Sequence, residues 1–408
     1  MRMTRRLVLA SVLIPLSALA QAGRDVGEAG RRGGDAADCT AVPAMAPATI
    51  DRATSRRIDA LFADFRRSDT PGYAVGVAQG GQLIYAQGFG QANLDDTIPI
   101  ARNTAFHLAS LSKQFTGAAV ALLLLDNKIS LEDPVGKYIP AAAKYGSGLR
   151  IKHLVYMTSG IGEYTGRPRL SGLPWFTDFY FTRDEAIAAA LLPPTLDFSP
   201  GQKWSYSNID YMLLTQIVET VSGQRFSDFM RQRVFAPLCM RDTHIDDDTT
   251  QVVPHRAIGY ARRSAEVVDA AKQIGVTLRP GNGYARMLRV SPHFGGSGVF
   301  STLEDLARWN DAFAHPRLGG AAFAAQMQQF EQFEHDKKND AFGLVYSEYA
   351  GRPMWWYSGG DIDGSSYMAR FPHNQITVIC LSNIHEGDCE GRAKKVLDVL
   401  NRENGRWR

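Results

Sequence analysis

The middle of the sequence contains the stretch FHLASLSKQFTGAAVALLLL, residues 106–125. Its second half is continuously apolar, which predicts a helix buried on all sides. Ser110 and Lys113 stand three positions apart at the start of this helix, so their side chains share one face. Burial favours the neutral form of a lysine, and a neutral amine beside a serine hydroxyl gives a nucleophile with its own base. The stretch therefore predicts a core helix with a reactive serine at its N-terminus.

Both residues also have a purely structural interpretation. Serine is a common helix N-cap, and lysine often extends along apolar surface with its charge in water. The apolar flanks disfavour the second interpretation for Lys113. Ser112 lacks the spacing to Lys113, so we expect it to pack or cap and to tolerate replacement. Ser-x-x-Lys alone is a weak motif, and the rest of the sequence decides how much it means.

The rest of the sequence resembles the serine β-lactamase and penicillin-binding-protein superfamily, within its class C β-lactamase-like branch. Ser-x-x-Lys is a known signature of this superfamily. The resemblance extends over roughly residues 50–400 and includes Tyr206-Ser207-Asn208. Further short matches in the superfamily's order are PGYAVGV (71–77), LEDPV (131–135), HLVYMTSG (153–160), FAPL (235–238), GGSG (295–298) and LSN (381–383). Many ordered matches are far more specific than any single one.

The resemblance implies an α/β (α+β) fold of the β-lactamase/transpeptidase type. In that fold an antiparallel sheet flanked by helices joins an all-helical lobe, and the active site lies in the cleft between them. The residue patterns agree, because strand-like alternation occurs near both ends and helical periodicity between them. We expect one domain over 49–405, with a sheet lobe from about 49–105 and 290–405 and a helical lobe over about 106–289.

Two further site residues follow from the resemblance. Tyr206 would relay a proton to the leaving group, and Asn208 would hydrogen-bond the substrate amide. A phenol acts as a base only where nearby ammonium charge stabilises its anion, and Lys113 would supply that charge. Without the resemblance, Tyr206 would be interpreted as a core aromatic and Asn208 as a turn residue or helix cap.

The third motif departs from the superfamily, which has Lys-Thr-Gly or His-x-Gly on the strand that lines the far side of the cleft. The equivalent stretch here is Ser358-Gly359-Gly360, or, with a shift of one residue, a stretch that begins at Tyr357. Neither register contains the lysine or histidine that would bind a substrate carboxylate. The glycines permit close backbone approach of a substrate. We expect the Asp361 N–H to complete an oxyanion hole with the N–H of the nucleophile.

These features predict an exported serine hydrolase that forms an acyl-Ser110 intermediate without cofactor or metal. Its substrate would be a small-molecule ester, a β-lactam or a peptidoglycan-type peptide with D-amino acids, and the missing cation favours an uncharged ester or small amide. The altered third motif also allows a catalytically idle binding or scaffold member of the same fold. The retention of all four reactive groups (Ser110, Lys113, Tyr206, Asn208) favours the enzyme.

Residues 1–20 have the pattern of a cleaved signal peptide, because three arginines precede a fourteen-residue apolar stretch that ends in Ala18-Leu19-Ala20. We therefore expect a periplasmic or secreted protein with no integral membrane span after cleavage. Residues 21–48 have the composition of a disordered leader. The three arginines account for the formal net charge of +3, so nothing indicates a nucleic-acid partner. Among the cysteines, Cys380 and Cys389 are a conceivable disulfide pair.

Overall fold

The computed structural model describes residues 49–164, 181–273, 277–279, 281, 283–287, 292, 294–313, 318–331 and 339–403. The expected signal peptide and leader lie outside these residues. Within the described part of the chain, no helix combines the length and apolar character needed to cross a membrane.

The strands of the described residues are β1 Tyr73–Gln79, β2 Gln82–Phe89, β3 Gln91–Asn93, β4 Ile98–Pro99, β5 Phe106–His107, β6 His244–Ile245, β7 Gly259–Arg262, β8 Tyr284–Met287, β9 Val299–Ser301, β10 Asn339–Asp340, β11 Val345–Tyr349, β12 Arg352–Asp361, β13 Gly364–Phe371 and β14 Ile376–Ser382. The α-helices are α1 Arg52–Ala60, α2 Lys113–Leu125, α3 Ile151–Val155, α4 Arg183–Ala190, α5 Asn208–Ser222, α6 Phe226–Met230, α7 Ala265–Gln273, α8 Leu303–Asp311, α9 Ala321–Met327 and α10 Cys389–Glu403.

A seven-stranded antiparallel sheet has the order β10-β11-β12-β13-β14-β1-β2. β1 pairs with β2 on one side and with β14 on the other, so strands from the two ends of the domain are neighbours. The predicted hairpin around Gly80 and Gly81 joins β1 to β2. The sheet therefore closes the fold by joining its first and last strands.

Both faces of the sheet are covered, as β14 demonstrates. Val378 and Cys380 belong to the apolar cluster that includes residues of α1 and α10, whereas Ile379 and Leu381 belong to the larger cluster around α2. Alternate residues of a strand point to opposite faces. A strand covered on both sides needs apolar residues on both faces, which explains the apolar run of residues 378–381 in this strand.

Helix α2 is the centre of the second layer. Every residue from Lys113 to Leu123 is buried, and the helix packs against α5, α6 and α9. A helix with apolar residues on all sides belongs in a core. This confirms the buried helix predicted from residues 106–125 and fixes its N-terminal turn beneath the sheet.

The predicted antiparallel sheet with flanking helices is confirmed. The lobe over about 106–289, which we expected to be all-helical, also contains short strands: β5 and β6 pair with β9 in one small sheet, and β7 pairs with β8 in another. Strands of two to four residues are too short to produce a readable alternation, and their partners are distant in sequence. They could not have been predicted from local pattern.

Cys380 and Cys389, considered above as a disulfide pair, are both buried free thiols. Burial raises the pKa of the Cys380 thiol well above its ordinary value, which keeps it in its unreactive form. Cys239 is disulfide-bonded.

Candidate active site

Ser110 lies on a turn that directs it into the cleft beside the sheet. A single 3-10 turn, Ala109–Ser112, precedes α2. Ala109 has a φ of 47°, in the left-handed region that residues with a Cβ rarely adopt. Side chains three residues apart are eclipsed in a 3-10 turn, which places the Lys113 Nζ 3.4 Å from the Ser110 Oγ. Strained backbone next to a nucleophile is a frequent property of active sites.

The Lys113 side chain is completely buried and fully hydrogen-bonded. Its Nζ donates to the Tyr206 hydroxyl at 2.6 Å, to the Asn208 Oδ1 at 2.7 Å and to the Gly296 carbonyl at 2.8 Å. Three acceptors match the three N–H donors of an ammonium group. The geometry thus favours a charged Lys113 in the resting site, in place of the neutral base expected from its apolar flanks.

The hydroxyl nearest to the nucleophile belongs to Tyr206. Its oxygen lies 2.5 Å from the Ser110 Oγ, closer than the Lys113 Nζ. Tyr206 stands two residues before α5, and its ring lies 4.6 Å from the Lys113 Nζ. The structure therefore brings these three residues together, with the phenol in direct contact with the nucleophile and the amine behind both.

A carboxylate that the sequence did not single out holds the start of α5. Glu163 Oε1 accepts hydrogen bonds from the backbone N–H groups of Asn208, at 2.5 Å, and of Ile209, at 3.2 Å. A negative charge at this position also complements the helix dipole. Glu163 therefore fixes the backbone that carries Asn208. Its only signal in the sequence is an acidic residue shortly after the Thr158-Ser159-Gly160 match.

A second acid, Asp210, is completely buried beneath the same helix start. Its Oδ1 lies 2.6 Å from the Ser159 Oγ. Burial raises the pKa of Asp210 well above its ordinary value, and the charge of nearby Glu163 adds to the effect. A protonated Asp210 can bond to Ser159 without a second negative charge beside Glu163. Sequence alone gave no reason to expect a buried acid here.

The third motif lies on an open strand edge. β12 pairs with β11 only as far as Trp356, so from Tyr357 onward its outer edge lines a cavity. Asp361 pairs with Gly364 across a two-residue turn, which directs the Asp361 N–H toward β13. Because alternate N–H groups point to opposite edges, the Gly360 N–H points to the cleft. The geometry therefore favours the Gly360 N–H over that of Asp361 for the expected oxyanion hole.

The contacts of Gly359 favour the shifted register of the third motif. A Cβ at this position would lie 2.3 Å from the Leu108 carbonyl oxygen and 2.9 Å from the Ser110 nitrogen. Only glycine permits this approach of strand and turn, so Gly359 takes the place of the motif glycine and Tyr357 that of the cation. Burial, with Tyr206 close by, raises the pKa of Tyr357 well above its ordinary value. The cation position thus holds a neutral phenol.

Two cavities meet at Ser110. The larger has a volume of about 280 Å³, and its lining includes Trp204, Trp356 and Ser358. The smaller has a volume of about 150 Å³, and its lining residues are Ala109, Ser110, Tyr164, Asn208, Met212, Gly296, Ser297, Gly360 and Asp361. None of the described residues that line either cavity is a lysine, arginine or histidine. The described lining therefore offers aromatic and polar surface to a substrate, and its charged side chains are the acidic Asp340 and Asp361.

Among the described residues, one group has the composition of a metal site. The ligand atoms of His107, Asp361 and Asp363 lie within 4.8 Å of one another. His107 Nδ1 lies 2.8 Å from the Asp363 Oδ1, the length of an ordinary hydrogen bond. No second histidine stands at metal-ligand spacing from His107 in the sequence, so local pattern gave no signal for this group.

Comparison with known proteins places this geometry in a family. The family model described as Beta-lactamase matches residues 58–401. Penicillin-binding protein 4* of Bacillus subtilis (strain 168) is 28% identical over 325 residues, which cover 76% of this chain and 67% of that protein. A D-aminopeptidase of Gluconobacter oxydans (strain 621H) is 24% identical over 314 residues, which cover 77% of this chain and 56% of the aminopeptidase. The chain thus spans little more than half the length of that second relative.

Solved structures show the same fold. A penicillin-binding protein homologue from Pyrococcus abyssi superposes with a TM-score of 0.71 at 21% identity, covering 86% of this chain and 77% of the homologue. The D-amino acid amidase from Ochrobactrum anthropi SV3 gives a TM-score of 0.71 at 20% identity, covering 86% of this chain and 100% of the amidase. With the family model matched along most of its length, the chain belongs to the Beta-lactamase family of hydrolases.

Proposed function

We propose that this protein is an exported serine hydrolase that cleaves an ester or amide through an acyl-Ser110 intermediate. The observation that carries the proposal is the alignment of Ser110 Oγ, Tyr206 OH and Lys113 Nζ, with successive contacts of 2.5 and 2.6 Å. A nucleophile, a proton acceptor and an orienting third group within hydrogen-bond reach are the requirements for covalent catalysis.

Acylation follows from these contacts. Tyr206 takes the Ser110 proton as the Oγ attacks the substrate carbonyl, and the Lys113 ammonium stabilises the phenolate that forms. The N–H groups of Ser110 and Gly360 hold the oxyanion of the tetrahedral intermediate. Tyr206 then returns the proton to the leaving alcohol or amine as its bond to carbon breaks. Asn208 remains hydrogen-bonded to Lys113 through its Oδ1, so its amide nitrogen can donate to a substrate oxygen.

The substrate is an uncharged ester or small amide. The family's cation position holds Tyr357, and no basic side chain is among the described residues that line the two cavities. A buried carboxylate without a cationic partner would be costly to bind. We therefore expect efficient turnover of a short-chain ester and weak β-lactamase activity at most. Relatives named as a D-aminopeptidase and a D-amino acid amidase support amides as the second substrate class.

The proposal of export is supported by the basic and apolar pattern of residues 1–20. A periplasmic or secreted enzyme would meet cell-wall peptides as well as small esters. N-terminal sequencing of the mature protein tests this part, and an intact Met1 would contradict it.

A fluorophosphonate probe tests the chemistry directly. The wild-type protein should be labelled once, at Ser110, and Ser110→Ala should lose both labelling and hydrolysis while its melting temperature is kept. Ser205→Ala, which removes an exposed hydroxyl near the cleft, is the matched control and should react normally. Turnover of a nitrophenyl ester against a chromogenic cephalosporin then separates the substrate classes. Faster cephalosporin turnover would overturn the ester preference, and an unlabelled wild type would favour the idle scaffold.

A further inference from the structure

A second serine faces the active site and is backed by a histidine and an aspartate. His107, on β5, is almost completely buried. Its Nε2 lies 2.8 Å from the Ser297 Oγ, and its Nδ1 lies 2.8 Å from the Asp363 Oδ1. The order of groups is that of a Ser-His-Asp triad, although none of these residues belongs to the Ser-x-x-Lys or Tyr-x-Asn motif.

The surroundings fix the tautomer of His107. Its Nδ1 faces the carboxylates of Asp363, at 2.8 Å, and Asp361, at 3.9 Å, so the ring proton is held on this side. The Gly298 backbone N–H points at Nε2, at 3.3 Å, which requires Nε2 to accept. Two independent contacts therefore leave Nε2 as the basic nitrogen, and the Ser297 hydroxyl donates its proton to it.

Ser297 lies where hydrolytic water would be needed. It is partly exposed and lines the 150 Å³ cavity together with Ser110. A cavity of this size holds several water molecules. With its proton directed at His107, the Ser297 oxygen presents lone pairs to that cavity. The preceding residue, Gly296, binds Lys113 through its carbonyl, so the loop is anchored to the catalytic lysine.

We propose that Ser297 and His107 form a proton-transfer chain that activates the water molecule that deacylates Ser110, with Asp363 as the positioning residue. This inference rests on the proposed acyl-Ser110 intermediate. We do not assign Ser297 as a second nucleophile, because the adjacent Gly298 N–H, a donor that could otherwise bind an oxyanion, is bonded to His107.

The step balances as follows. Water forms a bond to the acyl carbon, its proton moves to the Ser297 oxygen, and the Ser297 proton moves to the His107 Nε2. The bond from the acyl carbon to the Ser110 Oγ then breaks, and the Ser110 oxygen takes a proton from the Tyr206–Lys113 pair. The product acid and His107 then each hold one proton to release. One of these protons returns to the Tyr206–Lys113 pair, and the other goes to bulk water.

Direct measurement of deacylation tests the proposal. The protein is acylated with a nitrophenyl ester, freed of excess reagent, and followed by intact mass. Ser297→Ala should acylate at the wild-type rate but lose the acyl group roughly 10²–10⁴-fold more slowly, the usual contribution of a positioned general base. Asp363→Asn should slow the same step and spare acylation. Ser297→Thr keeps a hydroxyl and should restore much of the rate.

A stronger nucleophile than water distinguishes the loss of a proton-transfer group in Ser297→Ala from structural damage to the site. Hydroxylamine needs less help from a base than water does, so it should release the acyl group from Ser297→Ala at nearly the wild-type rate. Deacylation of Ser297→Ala by water at the wild-type rate would overturn the relay, whereas a wild type that never acylates would overturn the proposed function itself. Inhibition of wild-type deacylation by EDTA would also overturn the relay, in favour of a metal held by His107, Asp361 and Asp363.

Discussion

Gly359 touches the backbone of the nucleophile: a Cβ on Gly359 would lie 2.9 Å from the Ser110 nitrogen. The strand that lines the cleft and the turn that carries the serine are therefore in contact without an intervening side chain. This contact sets the distance between the N–H groups of Ser110 and Gly360, which we propose as the two donors of the oxyanion hole.

Replacing Gly359 by alanine should separate the strand from the turn. The new Cβ would also lie 2.3 Å from the Leu108 carbonyl oxygen, so backbone must move. A displacement of about 1 Å can cost on the order of 10²-fold in rate, and we expect fluorophosphonate labelling to slow by about that factor. Gly148→Ala, where nothing lies within 4 Å of the added Cβ, is the control. Equal labelling rates in the two variants would contradict the close contact.

Replacing Lys113 by methionine should remove the positive charge behind the Tyr206 phenol while keeping most of the side-chain volume. Acylation of the variant should fall by roughly 10²–10⁴-fold, the range of a lost proton-transfer partner. Stopped-flow release of nitrophenol measures this step. Lys128→Met, at an exposed position, should react like the wild type. Unchanged acylation in Lys113→Met would show that the amine does not assist Tyr206.

Replacing Ser112 by alanine should affect stability and not chemistry. The Ser112 Oγ is buried and accepts a hydrogen bond from the Val299 N–H at 3.0 Å. The variant leaves that donor unpaired, so the free energy of unfolding should fall by about 1–3 kcal/mol. Chemical denaturation measures the loss, and probe labelling of Ser110 should persist. Loss of labelling in the folded variant would mean that the nucleophile had been misassigned.

Asp210 should make the domain less stable as the pH rises. Its folded-state pKa lies well above the ordinary value of 3.8, so between the two values the folded state binds more protons than the unfolded state. The free energy of unfolding therefore falls as the pH rises through that interval. Asp210→Asn, which cannot ionise, should flatten this dependence in urea denaturation at several pH values. Asp64→Asn, at an exposed position, is the control and should leave the pH dependence unchanged. If the free energy of unfolding changed with pH equally in Asp210→Asn and the wild type, Asp210 would not be a buried neutral acid.

Introducing a histidine at position 357 should create the cation site that the family usually has. Tyr357→His should improve binding of carboxylate-bearing substrates by roughly 1–3 kcal/mol, the worth of a charge-assisted hydrogen bond. Inhibition constants for a neutral and a carboxylated ester of the same shape measure the change. Ser358→His is the control for register. If Ser358→His gained affinity for the carboxylated ester and Tyr357→His did not, the register inferred from Gly359 would be wrong.

Some of the site was readable from local sequence because one helix turn carries it. Ser110 and Lys113 are three residues apart, and the apolar run to Leu125 requires burial of the helix that presents them. Tyr206 and Asn208 flank a helix start, so their relation to each other is also local. Even here, the direct contact of Tyr206 with Ser110 came from the structure, since ninety-six residues separate them.

The sequence by itself determined the layers of the fold, because uninterrupted apolar runs must be buried and alternating ones must form strands. It also predicted the four reactive groups and the absence of the usual cation from the third motif. Only the tertiary structure decided the register of the third motif and the choice of the Gly360 N–H over the Asp361 N–H for the proposed oxyanion hole. It alone also brought together His107, Ser297 and Asp363. These depend on how a strand edge, a hairpin turn and a glycine loop pack against one another, and contacts between residues so distant along the chain leave no periodic signal in it.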